Sequence, residues 1–254
     1  MELATLTERL DDELDTEAYA DIDASANGLQ VGPPEAAVDH VAFAVDAAEA
    51  TIEAAADAGA DVLVTHHGLS WGGIERVTDR QYRRIAALID NDLALYVSHL
   101  PLDGHQEVGN AAGIADLLGA DETAPFGSMG PETVGQQGRL ADARPVDEIA
   151  STLESKLEGT DEVQVLAFGP ETVQRVAIVT GSGVDWLDEA VAAEADLLIT
   201  GEGKQQAYHQ ARESGINVIL AGHYATETFG VRRLQGLVEG WGVSTSYHAH
   251  PTGI

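Results

Sequence analysis

Residues 41–68, VAFAVDAAEATIEAAADAGADVLVTHHG, align without a gap on residues 176–203, VAIVTGSGVDWLDEAVAAEADLLITGEG. Nine of the 28 positions are identical, among them Asp61 with Asp196, Thr65 with Thr200 and Gly68 with Gly203. In the first copy a β-branched and apolar run, Val38 to Val45, leads into an Ala/Glu-rich stretch to Ala58 that suits a helix, and then into a second apolar run that stops at His66. A second match extends the repeat: residues 93–103, LALYVSHLPLD, fall on residues 217–227, NVILAGHYATE, pairing His99 with His223 and Asp103 with Glu227. The chain thus reads as two diverged copies of one α/β unit with a mostly parallel, buried sheet, each copy carrying His-x-x-x-acid beyond a strand.

Outward from the repeat, a helix is predicted over 79–90 and a strand over 93–98. Between 119 and 138 Pro125, Gly127, Gly130, Pro131, Gly135 and Gly138 break all periodicity, so the sequence places a domain boundary there, with lobes 1–125 and 126–254. Pro145 marks a helix start. Strands follow at 163–168, 173–180, 197–200, 218–221 and 243–248, with helices between them and a long one over 226–239.

Composition bounds the function. Thirteen Lys and Arg against 43 Asp and Glu give a net charge of −30. Self-repulsion of that size is relieved where salt shortens the Debye length to roughly 3 Å at 1 M, and the acids are spread along the whole chain, so the sequence points to a halophilic, salt-rich setting. The only basic cluster, Arg76, Arg80, Arg83 and Arg84, reads as a solvated helix face, which argues against direct nucleic-acid binding. With no cysteine, any metal must be held by nitrogen and oxygen. The acidic start has neither the basic residues nor the apolar stretch of a signal peptide, and no apolar run is long enough for a membrane span, so a cytoplasmic protein is expected.

The possible ligands stand just past apolar runs: His66 and His67, Asp103, then His223 and Glu227. Adjacent strand residues point to opposite faces, so His66 and His67 serve together only if the backbone turns, for which Gly68 is suited, or if they reach different ions. An i, i+4 spacing puts His223 and Glu227 on one helix face. A carboxylate can bridge two ions, and ions about 3.5 to 4 Å apart can share a hydroxide. The plainer readings stay open at this point: His66 and His67 as polar loop residues, and His223 with Glu227 as a capping pair at a helix N-terminus. His99 reads as a partner holding a ligand or as a ligand itself. His248 and His250 read as a solvated tail, and Gly181-Ser182-Gly183 and Gly201-Glu202-Gly203 as turns.

Nearly the whole chain resembles the Nif-three-like dinuclear-metal hexamer family, whose members are catalogued as type 2 homologues of GTP cyclohydrolase 1. The resemblance is carried by Asn27-Gly28-Leu29-Gln30-Val31-Gly32, Val64-Thr65-His66-His67-Gly68, His99 with Leu102-Asp103, Ile199-Thr200-Gly201-Glu202 and Ala221-Gly222-His223-Tyr224-Ala225-Thr226-Glu227. It implies two α/β/α lobes, a ring-shaped homo-hexamer with metal centres facing an internal cavity, and two divalent metal ions per chain on His66, His67, Asp103, His223 and Glu227, the last as bridge. Leu100-Pro101 and Gln205-Gln206 depart from the family pattern beside these positions.

The reading that follows is a metal-dependent hydrolase acting on a nucleotide-like or small phosphorylated substrate, with metal-bound water as attacking group and no side chain assigned as catalyst. GTP ring opening is implied by the resemblance. Two other readings are a metal-binding or metal-delivery protein without catalysis and a hexameric scaffold for a protein partner. Nitrogen and oxygen ligands suit zinc, iron, manganese, cobalt or nickel.

Overall fold

The computed structural model describes residues 1–160 and 162–253. In chain order the elements begin α1 (Leu3–Leu14), β1 (Gly28–Val31), β2 (His40–Asp46), α2 (Glu49–Asp57), β3 (Val62–His67), α3 (Asp79–Asp90), β4 (Ala94–Val97), α4 (Leu100–Gly104) and α5 (Asn110–Leu118). They continue through β5 (Ala120–Met129), β6 (Glu132–Pro145), α6 (Val146–Lys156), β7 (Gln164–Leu166), β8 (Thr172–Ile178), α7 (Leu187–Ala192) and β9 (Leu197–Thr200). The chain closes with α8 (Gln205–Ser214), β10 (Asn217–Leu220), α9 (His223–Thr226), α10 (Thr228–Gly240) and β11 (Ser244–Tyr247). They form a mixed α/β fold with two sheets.

The compact units divide differently from the expected break at 125. One unit is Met1–Leu102 with Gly230–His250; the other is Asp103–Phe229 with the short stretch from Pro251. Two long-range pairings explain the difference. First, β11 runs parallel to β2, Ser244 opposite His40 through Tyr247 opposite Phe43, so the end of the chain completes the first sheet. Second, the stretch read as a linker is a β-hairpin, β5 against β6, with Gly130 and Pro131 at its tip. Those prolines and glycines broke the sequence periodicity without breaking the strands.

In the first unit the sheet order is β1-β4-β3-β2-β11, parallel except for the edge strand β1. Its inner strands β2, β3 and β4 are buried on both faces, as such sheets require. Ala42, Ala44, Leu63, Leu95 and Val97 pack with Ile52 and Ala55 of α2 and Leu88 of α3. The alternate residues Val41, Phe43, Val62, Val64 and Tyr96 are just as buried, and Tyr96 donates its hydroxyl to Asp11 of α1 at 2.8 Å. Helix α1, unforeseen in the sequence, buries Leu3, Leu6, Leu10 and Leu14, a stripe at helical spacing.

The second unit holds the order β5-β6-β8-β9-β10-β7. Here the expectation of a mostly parallel sheet is corrected: only β8-β9 and β9-β10 are parallel, because the hairpin and β7 add antiparallel pairs. The parallel core is the repeat itself. Ala111, Ile114 and Leu118 of α5 and Ile149 and Leu153 of α6 pack on Val176, Ile178, Leu197, Ile199 and Ile219.

The identities in the repeat now have a physical cause. Asp61 Oδ2 accepts the amides of Asp39 and His40 at 2.8 and 2.9 Å, and Asp196 Oδ2 accepts those of Gln174 and Arg175 at 2.9 and 2.8 Å. Each aspartate, just before the second strand of its repeat, accepts two successive amides of the first, at the entry to β2 and within β8.

Candidate functional site

In the first unit the site is built at the ends of β3 and β4. Strand β3 runs on through His66 and His67. His66 is fully buried and the His67 side chain 19% exposed. Their rings do not diverge as regular strand alternation would have them: the centroids lie 4.6 Å apart, tilted by 47°. His99, just past β4, brings a third ring 5.1 Å from His66 and 5.7 Å from His67. The backbone gains this convergence without a left-handed turn at Gly68. A Cβ at Gly68 would lie 2.6 Å from Val97 Cγ2 and from Gln30 Nε2, so the glycine serves close packing.

Each of the three imidazoles has its Nδ1 facing an oxygen that accepts. His66 Nδ1 lies 2.9 Å from Ser98 O, His67 Nδ1 2.9 Å from Asp46 Oδ1, and His99 Nδ1 2.9 Å from Asp23 Oδ1. A carbonyl or carboxylate oxygen accepts and does not donate, so a ring with a single proton carries it on Nδ1 and keeps the Nε2 lone pair. This is the arrangement that orients histidines as metal ligands. One nitrogen from each ring falls within 4.8 Å of the other two, so His66, His67 and His99 could hold a metal ion.

The carboxylate behind His99 is the hub of its loop. Asp23, whose side chain is 1% exposed, also accepts from Ser25 N, Asn27 Nδ2 and Leu100 N at 2.8, 2.8 and 3.0 Å. Burial alone would raise its pKa, but His99, Asn27 and the Ser25 amide outweigh that and hold it below the usual carboxylate range. Asn27 Oδ1 in turn accepts the His99 amide at 2.8 Å.

In the second unit the structure brings Asp103, His223 and Glu227 around the turn after β8. Asp103 is 8% exposed, and its Oδ1 accepts from Thr180 Oγ1 at 3.0 Å and from Asn110 Nδ2 at 2.8 Å. Next to Thr180, Gly181 has φ +56°, and a Cβ there would lie 2.4 Å from Glu227 Oε1 and 3.1 Å from His223 Nε2. The glycine-rich turn thus makes room for the His223 and Glu227 side chains. His223 opens the single turn of α9, and its Nε2 meets Glu227 Oε1 at 3.1 Å, confirming that the i, i+4 spacing puts both on one side.

The sequence match of His99 with His223 is offset by one residue in the fold. Ser98 N bonds Thr65 O at 3.0 Å, and Ala221 N bonds Thr200 O at 2.8 Å, so the structural counterpart of His99 is Gly222. His99 precedes its helix, whereas His223 begins one.

His223 carries two acidic neighbours, Glu227 on Nε2 and Glu202 on Nδ1 at 3.2 Å. Burial pulls its pKa down, yet Glu227 and then Glu202 raise it to about 9. Without metal the ring is therefore an imidazolium clamped between carboxylates. Ser182 and His223 hold Glu202 below the ordinary glutamate value. A proton between a ring nitrogen and a carboxylate occupies the place that a divalent cation takes, so the donor set fits a metal that displaces that proton.

Asp23, Asp46 and Glu202 were not singled out in the sequence. Among 43 acids the first two had no distinguishing mark, but Glu202 had one: it aligns with His67 in the repeat. His248 is no free tail. Its Nε2 and that of His40 each lie 3.0 Å from Ser246 Oγ.

A family model described as Duf34/NIF3 (NGG1p interacting factor 3) matches residues 1–247. A curated relative in Halobacterium salinarum, named GTP cyclohydrolase 1 type 2 homolog, is 52% identical over all of both chains. Among solved structures, the protein ybgI, described as of unknown function, superposes with a TM-score of 0.92 at 34% identity over the full length of both. A Thermus thermophilus protein does so with a TM-score of 0.90 at 36% identity, again over the full length of both. The chain belongs to the DUF34/NIF3 family.

Proposed function

We propose that this chain is a dinuclear metal protein that hydrolyses a nucleotide-like or other small phosphorylated substrate, its two divalent ions held by His66, His67, Asp103, His223 and Glu227. Glu227 would serve as the carboxylate shared by the ions, and His99 would offer a further nitrogen beside His66 and His67. The observation that carries the reading is the common orientation of His66, His67 and His99, each with Nδ1 held by an oxygen acceptor. Bound divalent ions supply Lewis-acid polarisation and an activated water at neutral pH.

The chain's own groups do the rest. Asp46 and Asp23 fix the tautomers of His67 and His99, and Asn110 and Thr180 aim Asp103. Glu202 accepts a hydrogen bond from His223 Nδ1–H, which would leave Nε2 as the nitrogen offered to a metal. The name borne by the Halobacterium salinarum relative supports a GTP-like substrate.

The same proposal includes a homo-hexamer, as the family resemblance implies, and a salt-rich cytoplasm, which the net charge of −30 supports. No helix of the described residues is long and apolar enough to cross a membrane. The test is turnover by metal-loaded protein in molar salt, with GTP and with glycerol phosphate as substrates. Metal-dependent product from either is expected. Retained metal without product from any phosphorylated substrate would reduce the protein to a metal binder or carrier.

A further inference from the structure

The loop between β3 and α3 carries an apolar group that neither core packing nor metal binding uses. Trp71 is 47% exposed, and Ile74 and Val77 on the same loop are 46% and 45% exposed. Its indole centroid lies 4.9 Å from the His99 ring, nearly perpendicular to it, and 6.0 Å from the His67 ring. An indole left open to water beside candidate ligands forgoes burial worth having, and the chain has only three tryptophans.

The backbone that carries it is tied down. Loops of this kind are ordinarily mobile, but here the backbone is tied to the 23–27 loop on both sides of Trp71. Ala26 N bonds Ser70 O at 3.1 Å and Gly72 N bonds Ala24 O at 2.6 Å, while Ser25 and Trp71 form an antiparallel bridge. Gln30 Oε1 accepts Leu69 N at 2.8 Å, and Gln81 Nε2 donates to Leu69 O at 2.9 Å. The 23–27 loop is the one whose Asp23 and Asn27 hold His99. One set of bonds therefore holds both the imidazole and the backbone that carries the indole, whose ring stands at the edge of the histidine cluster.

We infer that Trp71 is the platform on which a planar aromatic base of the substrate stacks. The inference rests on the proposed nucleotide-like substrate and adds a residue that selects the base rather than the phosphate. Every base offers a π-face, so a platform of this kind recognises the class of heteroaromatic ligand and leaves finer choice to other groups. In a chain this poor in basic side chains, such stacking supplies affinity that charge does not.

The test uses full-length, metal-loaded protein in molar salt, with GTP as probe and inorganic triphosphate as the base-free control, both followed by calorimetry. Trp71→Leu is expected to weaken GTP about five- to 150-fold, the range that loss of one base–aromatic stack produces. Triphosphate affinity should stay as in the wild type. Trp71→Phe, which keeps a ring, should restore most of the GTP affinity, and GTP should quench tryptophan fluorescence in the wild type but not in that variant. Equal GTP binding by wild type and Trp71→Leu would overturn the inference, as would a wild type that binds GTP no more tightly than triphosphate. Failure of the hydrolase reading looks different: base-selective binding that depends on Trp71 with no turnover of any phosphoester. Conversely, turnover of glycerol phosphate with no preference for a base would leave the hydrolase and remove the platform.

Discussion

Removing the Asp46 carboxylate isolates what the orientation of His67 contributes to metal binding. Asp46 Oδ1 sits 2.9 Å from His67 Nδ1, with the aspartate side chain 33% and the histidine 19% exposed. Partners of this kind are worth about ten- to a hundredfold in metal affinity. Water reaches a third of Asp46, which screens its charge and places it at the low end. Asp46→Ala should therefore weaken divalent-metal binding about tenfold, or about 1.4 kcal/mol. Asp46→Asn keeps an acceptor in one amide orientation and should fall between wild type and alanine. The assay is competition between metal-free protein and a chromophoric chelator at neutral pH in molar salt, with circular dichroism confirming the fold. Unchanged affinity in Asp46→Ala would refute the argument that an oriented imidazole is what makes this cluster a ligand set.

Three further outcomes follow from the same geometry. Gly181→Ala places a Cβ 2.4 Å from Glu227 Oε1 at φ +56° and should cost roughly 1–3 kcal/mol in denaturant unfolding while lowering metal content; a variant with full stability and metal would contradict the close approach. Asp23 has a native pKa below its unfolded value, so its contribution is complete above about pH 4 and is lost as pH falls through the native value. The stability gap between metal-free wild type and Asp23→Asn should accordingly be full at neutral pH and shrink in acid, and a gap that widened on acidification would refute the sign. Finally, with a net charge of −30, the melting temperature should climb as potassium chloride rises from about 0.1 M to about 1 M and the Debye length shrinks from about 10 Å to about 3 Å; a flat or falling curve would count against self-repulsion as the dominant surface term.

What was legible in the sequence was whatever repeats or alternates locally. Asp61 and Asp196 stood out as identities before their shared task of holding two amides was known, and the strands on either side of His66 and of Thr200 could be read from their apolar runs. Pairing between distant segments left no such mark. Nothing in Ser244–Tyr247 says that it lies beside β2, and the Gly130-Pro131 punctuation concealed a hairpin by resembling a linker. Of the candidate ligands, His66, His67 and His223 were visible because histidines are few and stand at strand ends, and Asp103 and Glu227 because the repeat sets each four residues after a histidine. Asp23 and Asp46 were not, because a carboxylate among 43 says nothing until the fold turns it toward a ring nitrogen. Trp71 escaped notice for the opposite reason: its loop has no period, and only the bonds to Ala24 and Ala26 show that it is held.

The most direct measurement is the metal content of purified protein after loading and exhaustive removal of free ions in molar salt, alongside His67→Ala and Glu227→Gln. Two equivalents per chain are expected in the wild type, with loss in both variants, since a bridging carboxylate serves both ions. A wild type that retains no metal, or variants that retain as much as it does, would contradict the account.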